Sequence, residues 1–458
     1  MPRQVSPAWF AIIALMVGAC SAPPPTLTFS EDVAPIIFSK CAGCHRPSGP
    51  GPFNLTSFVE VKNKAAVIAR VVQNGYMPPW PADTTYSRFV DEKILNQKEI
   101  ATLVKWVEQG CPSGNLNNAP TLPKFADGSL LGKPDMVVRM AKPFPIIGNN
   151  RDRFLLMKLP YEMERDTLIA AVEFVPHRKK LIHHVNGQWL KYDPTLSGTL
   201  KTGRTFVDTD SFPTPKEAYE ALQLAQDDGT YPMMKMSVGN YLPGVVSTWY
   251  PEGIGGFRAT KKGAIFLKDI HYGPSNRNLL DSSYFNIFFA KGPIKRPTLE
   301  MQLGTLGITP IEPALVIPAN EVKTFKTQVT LNADISLLTI NPHMHLLGKS
   351  FWAFAIKPGG DTIPLIRIRK WDFRWQYFYT FRTMQHLPAG TTIFVFGTFD
   401  NTIHNPLNPN HPPKTVSERS GSMRTSDEMF QFIMTYLPYQ PGDENIRLEP
   451  PTSTSPKR

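Results

Sequence analysis

The sequence predicts a multidomain chain in which a small all-α unit precedes two all-β sandwich domains. Three observations predict it. Helix-start and helix-stop signals crowd the N-terminal quarter and then mostly disappear. From Met136 to Tyr439 short runs rich in Val, Ile, Phe and Tyr are broken by Pro, Gly and Asn, the pattern of many short strands joined by turns. The 45 prolines are about twice the usual share and disfavour long helices. With 458 residues the chain is long enough for about three domains, and 41% hydrophobic content excludes global disorder.

The first element is an export signal. Arg3 precedes the apolar run Trp9 to Met16, too short to span a bilayer, and small residues Gly18 and Ala19 lead into Cys20. A basic start, a short apolar core and small residues before a cut site read as a secretory signal over residues 1–19. The end of the run resembles a bacterial lipoprotein lipobox, which implies a lipidated Cys20, a Pro-rich stalk after it, and a cell-envelope location facing the periplasm or the outer membrane. An exported chain offers no role for nucleic acid. The formal charge of +11 is therefore read as solubility, with a bias toward anionic lipid or an acidic redox partner.

The helical unit is expected over residues 27–112. Ser30-Glu-Asp starts a helix with Val33, Ile36 and Ile37 on one face, leading into Cys41-Ala-Gly-Cys44-His45. That Cys-x-x-Cys-His spacing attaches a c-type haem: two thiols bond the porphyrin edge and the histidine ligates iron. Ser57-x-x-Glu60 opens a second helix ending at Gly75, and Asn96-x-x-Glu99 a third ending at Gly110, with Ile100, Leu103, Val104 and Val107 on one face. Between them Gly75-Tyr-Met77-Pro-Pro-Trp80 carries the only methionine between His45 and Cys111. Met77 is thus the expected sixth iron ligand, the alternative being a core methionine. No second Cys pair suggests zinc, and no βαβ pattern suggests a thioredoxin. The segment resembles a small class-I-like cytochrome c domain. With Cys20 lipidated and two thiols on haem, Cys111 is left alone, so no internal disulfide is expected.

A linker rich in Pro, Gly and Asn is expected at 113–130, then sandwiches at 131–293 and 294–440, then a flexible tail at 441–458. One insert, Pro215 to Asp228, has a helical pattern. Nine of the ten histidines lie at or after His177. His343 and His345 are two apart, so on a strand both point to one face while Met344 points to the other. His183 and His184 are adjacent, so joint binding of one metal needs a strand end or a bulge. His271 lies in Asp269-Ile-His-Tyr-Gly273. Imidazoles suit copper, zinc, iron or nickel, and an added thioether selects Cu(I). His177, His386, His404 and His411 read as structural.

From about Leu131 to Tyr439 the chain resembles the copper type II, ascorbate-dependent monooxygenases, the family of peptidylglycine α-hydroxylating and dopamine β-monooxygenases. The resemblance implies two jelly-roll-like sandwiches, each holding one copper. His183, His184 and His271 fall on the ligands of the electron-transferring copper. His343, His345 and Met429, the last in Ser426-Asp-Glu-Met429, fall on those of the oxygen-activating copper. Two departures make peptidyl-glycine an unsuitable substrate. Asn341 stands where peptide-hydroxylating members carry a carboxylate-gripping arginine, and Ile433 where they carry a tyrosine. The implied activity is hydroxylation of a C–H bond in a small organic molecule by O2. Two electrons are needed, drawn from an ascorbate-like reductant or a redox protein through the fused haem. The competing expectation is an envelope electron-transfer or copper-binding haem protein without oxygenase activity.

Overall fold

The computed structural model of the protein describes residues 26–125, 128–212, 214–244, 250–418 and 426–449. The signal segment and Cys20 lie outside the described residues. Among the described residues no helix is long and apolar enough to cross a membrane.

Four helical stretches gather at the N-terminus. Phe29–Val33 runs directly into Ala34–Lys40, capped two residues earlier than Ser30: the Thr28 hydroxyl accepts the Glu31 N–H. The second expected helix is two, Phe58–Asn63 and Ala65–Gln73, broken at Lys64. Its capping box is only half formed. Ser57 accepts the Glu60 N–H, but the Glu60 carboxylate turns to the N–H and hydroxyl of Thr56. The Asn96–Glu99 box is complete and opens Gln97–Glu108. Gly75 and Gly110 follow the last two helices with φ of +68° and +81°, the left-handed conformation that ends a helix and suits glycine. Val33, Ile37, Leu103 and Trp106 fill the core. Trp106 takes a central place that the Ile100/Val104 face was expected to hold; those two are half-exposed.

The rest is β-structure in antiparallel sheets. In the first β unit, Met136–Arg139, Tyr284–Phe289, Thr167–Val175 and Phe257–Ala259 form one sheet in that order. Phe206–Asp208, Arg153–Glu162, Lys262–Tyr272, Ile182–Lys191 and Met233–Lys235 form the other. Phe174 and Phe285 from the first meet Leu155, Trp189 and Leu267 from the second in a single apolar core. The insert is a helix over Pro215–Leu222, capped by Thr214 and stopped at Gln223. In the second β unit the sheets are Leu299–Gly304, Phe430–Pro438, Ile335–Met344, Tyr379–Leu387 and Val322–Thr330, Thr392–Asp400, Gly348–Ile356, Thr362–Ile368. Along Thr392–Asp400 burial alternates strictly, with Ile393, Val395 and Phe399 inward, as a strand with one face on a core requires.

Three boundaries differ from expectation, each because apolar or paired side chains are buried where the sequence looked loose. Leu122 and Phe125, in the expected linker, pack on the helical core, and Phe125 receives the Arg46 guanidinium over its ring. An arm of the helical unit, Tyr76 to Lys93, leaves that unit and joins the second β unit: Ala82 and Phe89 are part of its core, with Trp80 packed against it. The expected tail is anchored for its first residues. Asp443 is 2% exposed and Leu448 1%, and both Asp443 oxygens bond Arg296, at 2.6 and 2.8 Å.

That last pair carries a pH dependence. Burial alone would raise the Asp443 carboxyl, but hydrogen bonds from Arg296, Ser336 and the Gln440 N–H outweigh it and hold it at about 2. The folded value lies below the ordinary 3.8, so the stabilisation is complete above the unfolded value and is lost as pH falls toward the folded one. Arg296→Met, which leaves the buried carboxylate unpaired, is expected to cost about 3–5 kcal/mol at neutral pH. Denaturant unfolding at neutral pH and again near the folded pKa checks it, since the difference from the parent should shrink in acid.

Candidate metal centres

Cys41 and Cys44 end the first helical stretch and form no disulfide. Burial pushes the Cys41 thiol up to about 12, away from the lowered values of reactive thiolates. His45 Nδ1 donates to the Phe53 carbonyl at 3.0 Å, which turns Nε2 outward as the ligating nitrogen. A Cβ on Gly51 would stand 2.8 Å from His45 Nδ1, so only glycine lets the following loop wrap this ring. The donor set fits a covalent haem. Met77 is half-buried on the docked arm, its N–H donating to Val71 O at 3.1 Å. Cys111 is buried at the end of Gln97–Glu108.

The first histidine set is built by two neighbouring strands. His271 on Lys262–Tyr272 pairs with His184 on Ile182–Lys191, and the register slips between Ile182 and His184. That slip is the bulge adjacent histidines need, and His183 is the extra residue. The His183 and His271 rings have centroids 4.5 Å apart, His184 and His271 5.3 Å. Carboxylates hold two of the rings: His271 Nε2 lies 2.7 Å from Asp152 Oδ1, and His184 Nε2 2.6 Å from Asp269 Oδ2. Each carboxylate fixes the proton on Nε2 and leaves Nδ1 to bind a metal. His271 Nδ1 is buried with no partner, an arrangement that costs free energy unless something occupies the lone pair. Burial, then the neighbouring His271 and His184, lower His183 to about 4, so the ring is neutral at physiological pH and its lone pair is available. Among the described residues the ligand atoms that lie within 4.8 Å of one another are those of Asp152, His183 and His271, a group that does not include His184.

Gly273 makes room for this set. A Cβ there would stand 2.7 Å from His183 Nε2. Gly273→Ala is expected to displace the His183 ring and weaken metal binding at this set by roughly 10–100-fold, the range for disturbed ligand support, with folding retained. Competitive chelator titration would measure it, and an unchanged affinity would show that His183 is not a ligand.

The second set stands at the end of a central strand. Met344 is fully buried in the core, so His343 and His345 face the other way, with centroids 5.1 Å apart. Here the ring pattern is reversed. His343 Nδ1 donates to Gln376 Oε1 and His345 Nδ1 to the Asp427 carbonyl, which leaves both Nε2 atoms for metal. His343 Nε2 is buried without a partner. Burial lowers both imidazoles, His343 well below the ordinary value. The register His343↔Gln431, Met344↔Phe430 carries Met429 to the position across from His345. Met429 is 4% exposed. Glu428 accepts the N–H groups of His345 and Leu347 at 2.9 and 2.6 Å, and burial pushes its carboxyl up to about 8.

The two sets share one aromatic neighbour. Phe373 lies 6.2 Å from the His184 ring and 5.7 Å from the His345 ring, so these imidazoles are separated by no more than the sum of those distances. Phe373 belongs to the connection between Thr362–Ile368 and Tyr379–Leu387, which also supplies Gln376. Asn341 is spent on this connection: its amide donates to the carbonyls of Gln376 and Tyr377 at 3.3 and 2.9 Å. His177 and His386 take structural roles, the first accepting the Ser282 N–H at 3.1 Å, the second stacked on Tyr439. Asp152, Gln376, Phe373 and Gly273 were missed from sequence. Asp269 had a visible signal, since a carboxylate two residues before a strand histidine shares its face.

No family model and no curated protein matches the chain. Solved structures that are similar in part include infectious bursal disease virus Gx strain, at 8% identity and TM-score 0.17 over 70% of this chain and 77% of that one. The Gt strain stands at 10% and 0.15, over 71% and 77%. PNGF-II stands at 9% and 0.19, over 66% and 59%. At such scores none bears on fold or function.

Proposed function

We propose that this chain is a copper-dependent monooxygenase of the bacterial envelope that hydroxylates a C–H bond of a small organic substrate with O2. Its electrons come through a covalently attached haem c. The observation that carries this reading is the pair of histidine sets in contact with the same ring, Phe373, each with a buried imidazole nitrogen lacking a partner. His183, His184 and His271 would hold one copper, and His343, His345 and Met429 the other. Cys41 and Cys44 would bond haem, with His45 and Met77 as axial ligands. When bound, copper supplies one-electron redox chemistry and oxygen activation, and haem stores single electrons.

The chain's own residues set the conditions. Asp152 and Asp269 orient the first rings, Gln376 and the Asp427 carbonyl the second, and Glu428 fixes the backbone that presents His345. The Met429 thioether suits Cu(I) over harder ions. Overall one oxygen atom enters the C–H bond and the other leaves as water, consuming two electrons and two protons. With the Asn341 amide committed to backbone carbonyls, nothing at that position grips a substrate carboxylate, which supports a substrate other than a peptidyl-glycine. In this reading the helical unit is a class-I-like cytochrome c domain, the β units are jelly-roll-like sandwiches, and Cys20 carries the membrane anchor. An ascorbate-like reductant or a redox protein reduces the haem.

Oxygen uptake with a panel of small aromatic and aliphatic substrates tests it. Uptake that requires both copper and reductant is expected. Absence of uptake from protein holding haem and copper would favour an electron carrier or copper-binding haem protein.

A further inference from the structure

Cys44 is half-buried. It abuts a turn of the first β unit, Tyr241 to Gly244, where a Cβ on Gly244 would stand 2.8 Å from Cys44 Sγ. Lys93, from the docked arm, clamps this contact: its ammonium donates to the Gly244 carbonyl and lies 5.0 Å from the centroid of the Tyr377 ring. At the other end of the turn, Tyr241 and Val185 exchange both backbone hydrogen bonds, each N–H reaching the other's carbonyl at 3.0 Å. Val185 is bonded directly to His184. The Tyr241 ring packs on Phe174, 5.3 Å between centroids, so the turn is seated in the first β unit rather than loosely apposed to it.

We propose that the Tyr241–Gly244 turn is the electron entry of the first metal set, joining the haem-bearing Cys44 to His184 through packed backbone and the paired hydrogen bonds of Tyr241 and Val185. It rests on the haem and copper reading above and adds to it a route and a positioning residue. Gly244 acts by letting the sulfur approach: its φ is +76°, and any side chain there both strains the turn and pushes Cys44 away. With haem on Cys44 and copper held by the first set, the turn would carry a single electron from ferrous haem to Cu(II), with no proton or atom transferred. A rival route leaves Cys44 by Tyr377, whose chain neighbour Gln376 bonds His343; it would reduce the second set first.

Flash reduction of the haem in anaerobic, Cu(II)-loaded full-length protein, followed by haem absorbance, distinguishes them. A haem reoxidation phase is expected in the parent, absent in His271→Ala and slowed about tenfold in Gly244→Ala, the scale of a disturbed coupling network. Haem and copper content, measured alongside, report whether both groups stay bound in Gly244→Ala, and the rate is read on protein that holds both. Reoxidation that survives His271→Ala, or is lost in His343→Ala instead, overturns the proposal in favour of the Tyr377 route. An unaltered rate in Gly244→Ala overturns the role of the turn. A parent protein that binds no haem or no copper overturns the underlying reading itself, and the content measurements report that separately.

Discussion

His343→Ala is expected to leave the chain folded, to remove one copper and to lower substrate hydroxylation by at least about a thousandfold, since a lost metal forfeits several kcal/mol of transition-state stabilisation. The side chain is half-buried with its back to the core, so truncation opens no cavity among the residues that hold the sheets together. Its Nε2 is buried without a protein partner, so no structural hydrogen bond is lost on that side. Gln376 loses one bond, a cost of about 1 kcal/mol. Met344→Ala next to it is expected to do the reverse, destabilising by about 2–5 kcal/mol because its fully buried side chain fills the core. Copper analysis and denaturant unfolding on the two variants separate a ligand from a core residue one position away.

The second large effect is expected at the joint between the helical unit and the second β unit. Phe89 is 1% exposed and meets Tyr379 and Phe381 at 5.0 and 5.2 Å between centroids. Around it the arm is stitched down by Val90 N–H to Thr380 O at 2.8 Å, by Arg374 to the Tyr76 hydroxyl at 2.6 Å, and by Asp83. Thr85, then Arg369 and Arg367, hold the Asp83 carboxyl well below the usual carboxylate range. Phe89→Ala is expected to cost about 3–5 kcal/mol and to uncouple the units. Haem absorbance and tryptophan fluorescence should then report separate unfolding transitions, where the parent gives coincident ones. Val59→Ala, at a site 62% exposed, should stay within about 0.5 kcal/mol of the parent.

What was legible in the sequence was local. The Asn96–Glu99 capping box, the glycine stops and the two-residue spacing of His343 and His345 depend on backbone geometry within a few residues, and the structure reproduces each. The β-rich character from Met136 onward was legible for the same reason, through turn residues and alternation. What was not legible was set by contacts between distant parts of the chain. Asp152 reaches His271 across two paired strands, Gln376 reaches His343 from a connection between other strands, and Phe373 touches a ring of each histidine set. The arm looked like part of a self-contained helical unit. Its aromatic density at Tyr76, Trp80 and Phe89, matched by Trp371 to Phe381, was the sign that these stretches cover one another. Leu122 and Phe125 were hidden by the Pro and Asn around them.

The most direct measurement is the number of copper ions per haem in envelope-expressed, copper-reconstituted protein, by elemental analysis with haem determined from its absorbance. Two coppers per haem are expected, falling to one in His343→Ala or Met429→Ala and to one in His271→Ala. One copper or none in the parent would contradict the two-site reading and leave a haem protein on a β-rich scaffold.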